Sequence, residues 1–195
     1  PTSYDMIKKI KNISGEKRVG HAGTLDPLAE GVLVVAVGRE DTKKLHLLQK
    51  SDKEYLCEME LGRTSLTGDA EGPISFSSDH EPDLSNLDKV LAQFVGLINQ
   101  KPHRFSALKV GGKKSYQVAR KGGDLNLKPR KVSIKEIKLL SYNYPIISLR
   151  VVCGPGVYIR SLAEDIGQAL GVGAYLKNLK RTRVGEFKEE DTIKI

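Results

Sequence analysis

EYLCEMELG, Glu54 to Gly62, alternates apolar and charged residues with a period of two, the signature of a strand with one face buried. Upstream, VLVVAVG (Val32–Gly38) is a short β-branched run that reads as a buried strand, and residues near Asp41–Leu48 suit a helix. Ser3 is placed to cap a first helix with Met6, Ile7, Ile10 and Ile13 on its apolar face. Downstream come turn residues Gly68, Gly72 and Pro73, then a helical pattern over Leu84–Val95 with Leu84, Leu87, Val90, Leu91 and Phe94 on one side. Gly111-Gly112 reads as a hairpin turn within Lys109–Lys114, and Ser115–Arg120 as a short helix. Two strand patterns, Val132–Leu140 and Ile146–Cys153, lead to Gly154-Pro155-Gly156, a helix over Tyr158–Leu170 and a last strand near Arg181–Phe187. Strands outnumber the helices between them and tight turns join several pairs. The expected fold is therefore α+β, a mixed, mainly antiparallel sheet flanked by helices.

At 195 residues the chain can bury a full core, and its length suits a single domain spanning 1–195. No apolar stretch reaches membrane-spanning length, and nothing at the start resembles a signal peptide. Cys57 and Cys153 lie far apart inside strand-like runs and read as buried thiols of a cytoplasmic protein. The absence of a heptad or a large apolar stripe favours a monomer.

The net charge is +8, and it is concentrated. From Lys101 to Lys135 eleven Lys and Arg face a single acid, Asp124. Lys177, Lys180, Arg181 and Arg183 form a smaller cluster. A charge run is often only a solvated face, but this concentration in a Gly-rich stretch points to a polyanion, and nucleic acid is the usual one.

One loop gathers the reactive inventory. GHAGTLDPLAEG (Gly20–Gly31) places His21, three glycines and Asp26 together, with Pro27 directly after the acid. An acid on such a loop is a candidate for chemistry, because loops on a rigid scaffold carry function. Asp followed by Pro equally suits the start of a helix. The phosphate-loop, dinucleotide and GxSxG patterns are missing, and His21, His46, His80 and His103 lack metal-ligand spacing.

GHAGTLDPLAEGVL, SDKEYLCEMELGRTSLTGDAEG, SALKVGGKKSYQVARKG, GVYIRSLAEDIG and LKRTRVGEF, in that order, resemble the TruB family of tRNA pseudouridine synthases from about Thr2 to Phe187. The Leu-Ala after Pro27 is closer to the stand-alone bacterial branch than to the guide-RNA-dependent branch. The resemblance implies the pseudouridine synthase fold and an isomerase acting on uridine 55 in the T loop of tRNA, without cofactor or metal. It implies Asp26 as the catalytic aspartate, Arg160 as its ion-pair partner, and Tyr55 as the ring that stacks on a flipped-out base. A carboxylate can form an adduct at a sugar or base carbon, and whether Asp26 attacks C1′ or removes a sugar proton is left open by the residues. Tyr158 and Leu179 correspond to the wall of the uracil pocket, and His21 to a wedge where the base leaves the RNA. Residues 101–131 correspond to an RNA-gripping, thumb-like insertion, with Lys109, Lys113, Lys114 and Arg120 as its contacts. Members usually open with a strand and a Lys-Pro-x-Gly turn ahead of Thr2-Ser3, and many carry a carboxy-terminal PUA-type domain; neither is in this sequence. Two other readings therefore stand beside the first: an RNA-binding or RNA-folding module impaired in catalysis, and a guide-RNA-dependent subunit.

Overall fold

A computed structural model describes residues 2–106, 108–110, 112–119, 122–123 and 125–195. The chain runs α1 (Ser3–Ser14), β1 (Val19–His21), β2 (Glu30–Gly31), β3 (Val35–Val37), α2 (Arg39–Gln49), β4 (Lys53–Leu61), β5 (Arg63–Ser65), β6 (Ile74–Phe76) and α3 (Leu84–Gln93). It continues through β7 (Gly96–Gln100), β8 (Lys109–Val110), β9 (Lys113–Lys114), α4 (Ser115–Ala119), β10 (Arg130–Asn143), β11 (Ile146–Cys153), α5 (Ile159–Ala169), β12 (Ala174–Val184) and β13 (Phe187–Lys188). The main sheet has the order β13-β12-β4-β11-β10-β7, antiparallel throughout, and β2 joins β12 in parallel. The expected α+β, mainly antiparallel architecture is the one observed.

β4 lies at the centre and alternates as its sequence does: Lys53, Tyr55, Cys57, Met59 and Leu61 are buried on one face. Ile147, Leu149, Val151 and Cys153 of β11 lie on that same side, and the apolar faces of α3 and α5 cover it with Leu87, Val90, Leu91, Ile159, Leu162 and Ile166. The opposite face is closed by cross-strand polar pairs: Arg150 bridges Glu54 and Glu136, while Glu60 accepts from Tyr175 and Lys177. α5 sits tightly on β12 because Gly167 has no side chain; a Cβ there would come 2.1 Å from the Ala174 nitrogen.

Several boundaries differ from the sequence expectation, each for a local reason. Thr2, not Ser3, caps α1, and its hydroxyl and Asp5 form a reciprocal capping box. Ser3 is instead buried and accepts from the Leu25 amide at 3.0 Å. Ile13 and Leu84 are exposed rather than packed. Only Val35–Val37 of the Val32–Gly38 run is strand, paired with β1 outside the main sheet. The run bends at Val32 because both its N–H and its C=O are engaged by Arg181. β12 begins at Ala174, not near Arg181, since its Lys and Asn residues disguise the alternation. No helix starts at Asp26. The chain turns at Pro27-Leu28, with the Ala29 amide donating to the Asp26 carbonyl at 2.9 Å.

Candidate active site

Asp26 hangs from the loop between β1 and β2, and the loop is fastened near the acid by the Ser3–Leu25 contact. Across from it, α5 begins directly after Tyr158 and presents Arg160 in its first turn. Arg160 donates from Nε to Asp26 Oδ2 at 2.9 Å and from Nη2 to Asp26 Oδ1 at 2.8 Å. This two-point fork fixes the plane of the carboxylate as well as its position. The predicted pairing of Asp26 and Arg160 is thus present in the geometry.

Arg160 is itself buried, only 4% of its side chain being exposed, and it needs further partners. Nη1 lies 3.3 Å from Asp69 Oδ2 and donates to the Thr67 carbonyl at 3.2 Å; Nη2 also reaches the Phe105 carbonyl at 3.3 Å. Asp69 is held in turn by the Thr67 hydroxyl at 2.6 Å and the Glu71 amide at 3.1 Å. Every donor on the guanidinium face toward the protein is therefore spoken for, which is the condition for burying a cation. Asp69 escaped sequence reasoning because TGDAEG reads as a polar turn. The only available signal was that a buried arginine shared with Asp26 requires a second acceptor.

Asp26 keeps a third of its side chain exposed, so the carboxylate is oriented from one side and open on the other. Tyr55 and Leu179 lie on the core face of the sheet, Tyr55 opposite Arg181 and Leu179 opposite Cys57 in the β4–β12 register. Both are largely covered, at 8% and 6% exposure. Burial pushes the Tyr55 hydroxyl up to about 12, against the opposing pull of the Arg181 charge and hydrogen bond. Tyr158 is half-buried; its amide donates to Gln100 Oε1 at 2.8 Å, and the Arg130 guanidinium lies 5.2 Å from its ring centroid. His21 is half-buried at the start of the loop, and burial pulls its pKa below the ordinary value.

The structure brings Asp26 and Arg160 into contact and sets Tyr55 and Leu179 on the core face of neighbouring strands β4 and β12, two positions apart in register. Of the residues expected to grip RNA, Arg120 lies outside the described residues, as do the side chains of Lys109, Lys113 and Lys114. The hairpin and short helix expected there correspond to β8–β9 and α4, with Gly111 also outside the described residues. The second basic cluster is not a free cationic patch. Lys177 pairs with Glu60, Lys180 with Glu189, Arg183 donates to the Gly185 carbonyl, and Arg181 is buried. Both cysteines are buried and unpaired, their thiols pushed up to about 12 by desolvation. Among the described residues no three His, Cys, Asp or Glu side chains are grouped as a metal site requires, and no helix is long and apolar enough to cross a membrane.

Comparison with known proteins places this geometry. Residues 11–159 match the model of the TruB family pseudouridylate synthase N-terminal domain, and residues 160–195 match that of the tRNA pseudouridylate synthase B C-terminal domain. The tRNA pseudouridine synthase B of Protochlamydia amoebophila is 44% identical over 192 residues, covering 98% of this chain and 73% of that protein. That of Parabacteroides distasonis is 46% identical, covering 95% of this chain and 81% of that protein. Among solved structures, a Cbf5-Nop10-Gar1 complex has a chain that superposes with a TM-score of 0.74 at 32% identity, over 97% of this chain and 47% of its own. An H/ACA RNP bound to a substrate RNA containing 2'-deoxyuridine gives 0.72 at 30% identity, over 100% of this chain and again 47% of the other. The chain therefore belongs to the TruB family of pseudouridylate synthases and is an isomerase that forms pseudouridine in tRNA.

Proposed function

We propose that the chain is one catalytic domain that acts as a monomer in the cytoplasm on uridine 55 of the T loop of tRNA. The observation that carries this reading is the carboxylate of Asp26, gripped at both oxygens by a buried arginine and left open to solvent. A uridine within a folded loop must leave its stack before its sugar can meet such a group. In this reading His21, at the loop's start, fills the gap it leaves. Tyr55 provides a ring for the extruded base, and Tyr158 and Leu179 flank it. Its low exposure means that the base stacks on an edge of Tyr55 or that the ring shifts to receive it.

The chemistry is an isomerisation. The C1′–N1 bond breaks, the base rotates, C1′ bonds to C5, the proton leaves C5 and N1 takes one up. Atoms and electrons balance within the substrate. Asp26 serves the bond cleavage, and the two-point fork of Arg160 keeps it aimed. The insertion 101–131, with Lys109, Lys113, Lys114 and Arg120, supplies phosphate contacts whose strength falls with salt.

Nucleoside analysis of tRNA transcripts under single-turnover conditions tests the reading. The chain is expected to convert one uridine, at position 55, and Asp26→Asn to lose conversion while keeping RNA affinity. Binding of tRNA without any pseudouridine would leave the RNA-folding reading instead. The structural likeness to Cbf5 complexes gives the guide-RNA-dependent reading some ground, and conversion of bare tRNA without a guide eliminates it.

A further inference from the structure

Arg181 is among the largest fully buried side chains of the protein, at 1% exposure, and among the described residues no carboxylate lies within ion-pair distance of it. Its charge has another use. Nε donates to the Val32 carbonyl at 2.8 Å and Nη2 to the Gly23 carbonyl at 3.1 Å. Its own carbonyl accepts from the Val32 amide at 2.7 Å. Gly23 and Val32 stand on opposite limbs of the loop that carries Asp26. A single planar guanidinium therefore closes the loop at its base, and its fork sets the separation of the two limbs.

The backbone is shaped to allow this. Gly31 pairs with Arg181 in the parallel β2–β12 contact, and a Cβ there would fall 2.2 Å from the Arg181 carbonyl oxygen. Gly23, at φ +88°, has Arg181 Nη1 and the Lys53 side chain directly beneath it. Lys53 is engaged separately, donating to the Gln49 and Ser51 carbonyls at 3.2 and 2.8 Å. Arg181 also stands opposite Tyr55 in the β4–β12 register, so one residue spans both limbs of the loop and faces the strand that carries the ring.

We infer that Arg181 is the clasp of the Asp26 loop: a positioning residue that sets the carboxylate against Arg160 through two backbone carbonyls and makes no contact with RNA. This rests on the reading of Asp26 as the catalytic acid. It also reassigns a residue that the sequence placed in a basic, polyanion-facing cluster.

The test compares Arg181→Met and Arg181→Lys with the unchanged chain, Asp26→Asn, and Leu87→Ala as a core-destabilised control on α3. Single-turnover pseudouridine formation, tRNA affinity across a salt series, and hydrogen exchange at the Ala22, Ala29 and Val32 amides are measured well below each melting temperature. Arg181→Met is expected to slow conversion by about 100-fold with affinity within about threefold and the salt dependence unchanged. The three loop amides exchange faster, and Arg181→Lys, which can hold one limb only, falls between. Where Arg181→Met does not fold, Arg181→Lys carries the same readouts. A salt slope reduced by about one unit would make Arg181 an RNA contact and overturn the clasp. So would a rate and loop exchange that track Leu87→Ala. If the unchanged chain forms no pseudouridine, the reading of Asp26 fails, while loop exchange still decides the clasp.

Discussion

Asp69 and Asp26 share one arginine: Arg160 binds Asp26 through Nε and Nη2, and its remaining nitrogen Nη1 lies 3.3 Å from Asp69. Asp69 is 2% exposed and never meets solvent, whereas Asp26 does. The buried carboxylate thus holds the cation that holds the exposed one. Of the two carboxylates on this arginine, only the Asp26 end is open to a substrate.

Asp69→Asn keeps the shape of the side chain and removes its charge. Arg160 then loses the anchor that sets its direction, and single-turnover conversion is expected to fall about 10- to 100-fold with tRNA affinity unchanged. Quench-flow nucleoside analysis beside a binding titration separates the two.

Arg160→Lys retains a positive charge and loses the fork. One ammonium cannot span both oxygens of Asp26 and also reach the Thr67 and Phe105 carbonyls. We expect at least a 100-fold loss of rate and a lower melting temperature, since buried acceptors are left unpaired. Equal activity of the lysine variant in the same assay would remove the geometric argument.

Gly31→Ala asks for a methyl group 2.2 Å from a carbonyl oxygen at φ +101°. Backbone has to move, and the β2–β12 contact opens. The expected cost is about 2–3 kcal/mol, read by chemical denaturation, with conversion reduced far more than the stability change alone accounts for.

Asp165, on α5 away from Arg160, faces a groove with Gln93, Phe94, Ile98, Asn99 and Gln168. Desolvation, aided by the Glu164 charge, raises its carboxyl to about 6. The folded state therefore holds this proton more tightly than the unfolded chain. Its contribution to stability is complete below about pH 4 and is lost as the pH rises to about 6. Asp165→Asn is expected to stabilise the protein on the order of 1 kcal/mol at pH 7.5 once partial exposure is allowed for, and by almost nothing at pH 4. Thermal melts at the two pH values check the sign.

Much of this architecture was legible in the chain where burial imposes a period. Glu54–Gly62, Ile146–Cys153 and the helix after Tyr158 each have one face in the core and one in water, and their patterns show it. The run after Val32 misled because its apolar residues serve a bend tied to Arg181, which no periodicity records. The Asp26–Arg160 contact was legible only through family motifs, since nothing local in either segment points to the other. Asp69 and Arg181 stayed hidden for a common reason: a charged residue in a polar or basic stretch looks exposed, and only the folded neighbourhood reveals that it is not. The residue type of Ser3 suits a cap, while its hydroxyl is used on the Asp26 loop.

The contacts that make the site join residues far apart along the chain. Asp26 and Arg160 are separated by 134 positions, and Arg181 reaches back 149 and 158 positions to Val32 and Gly23. Contacts of such span form only after the intervening chain has been ordered, because loop closure precedes its reward. During synthesis the Asp26 loop emerges early and waits, open at its base, until the penultimate strand of the sheet arrives. In a refolding experiment, catalytic competence is accordingly expected to return after the helical and strand signals, as a separate, later phase.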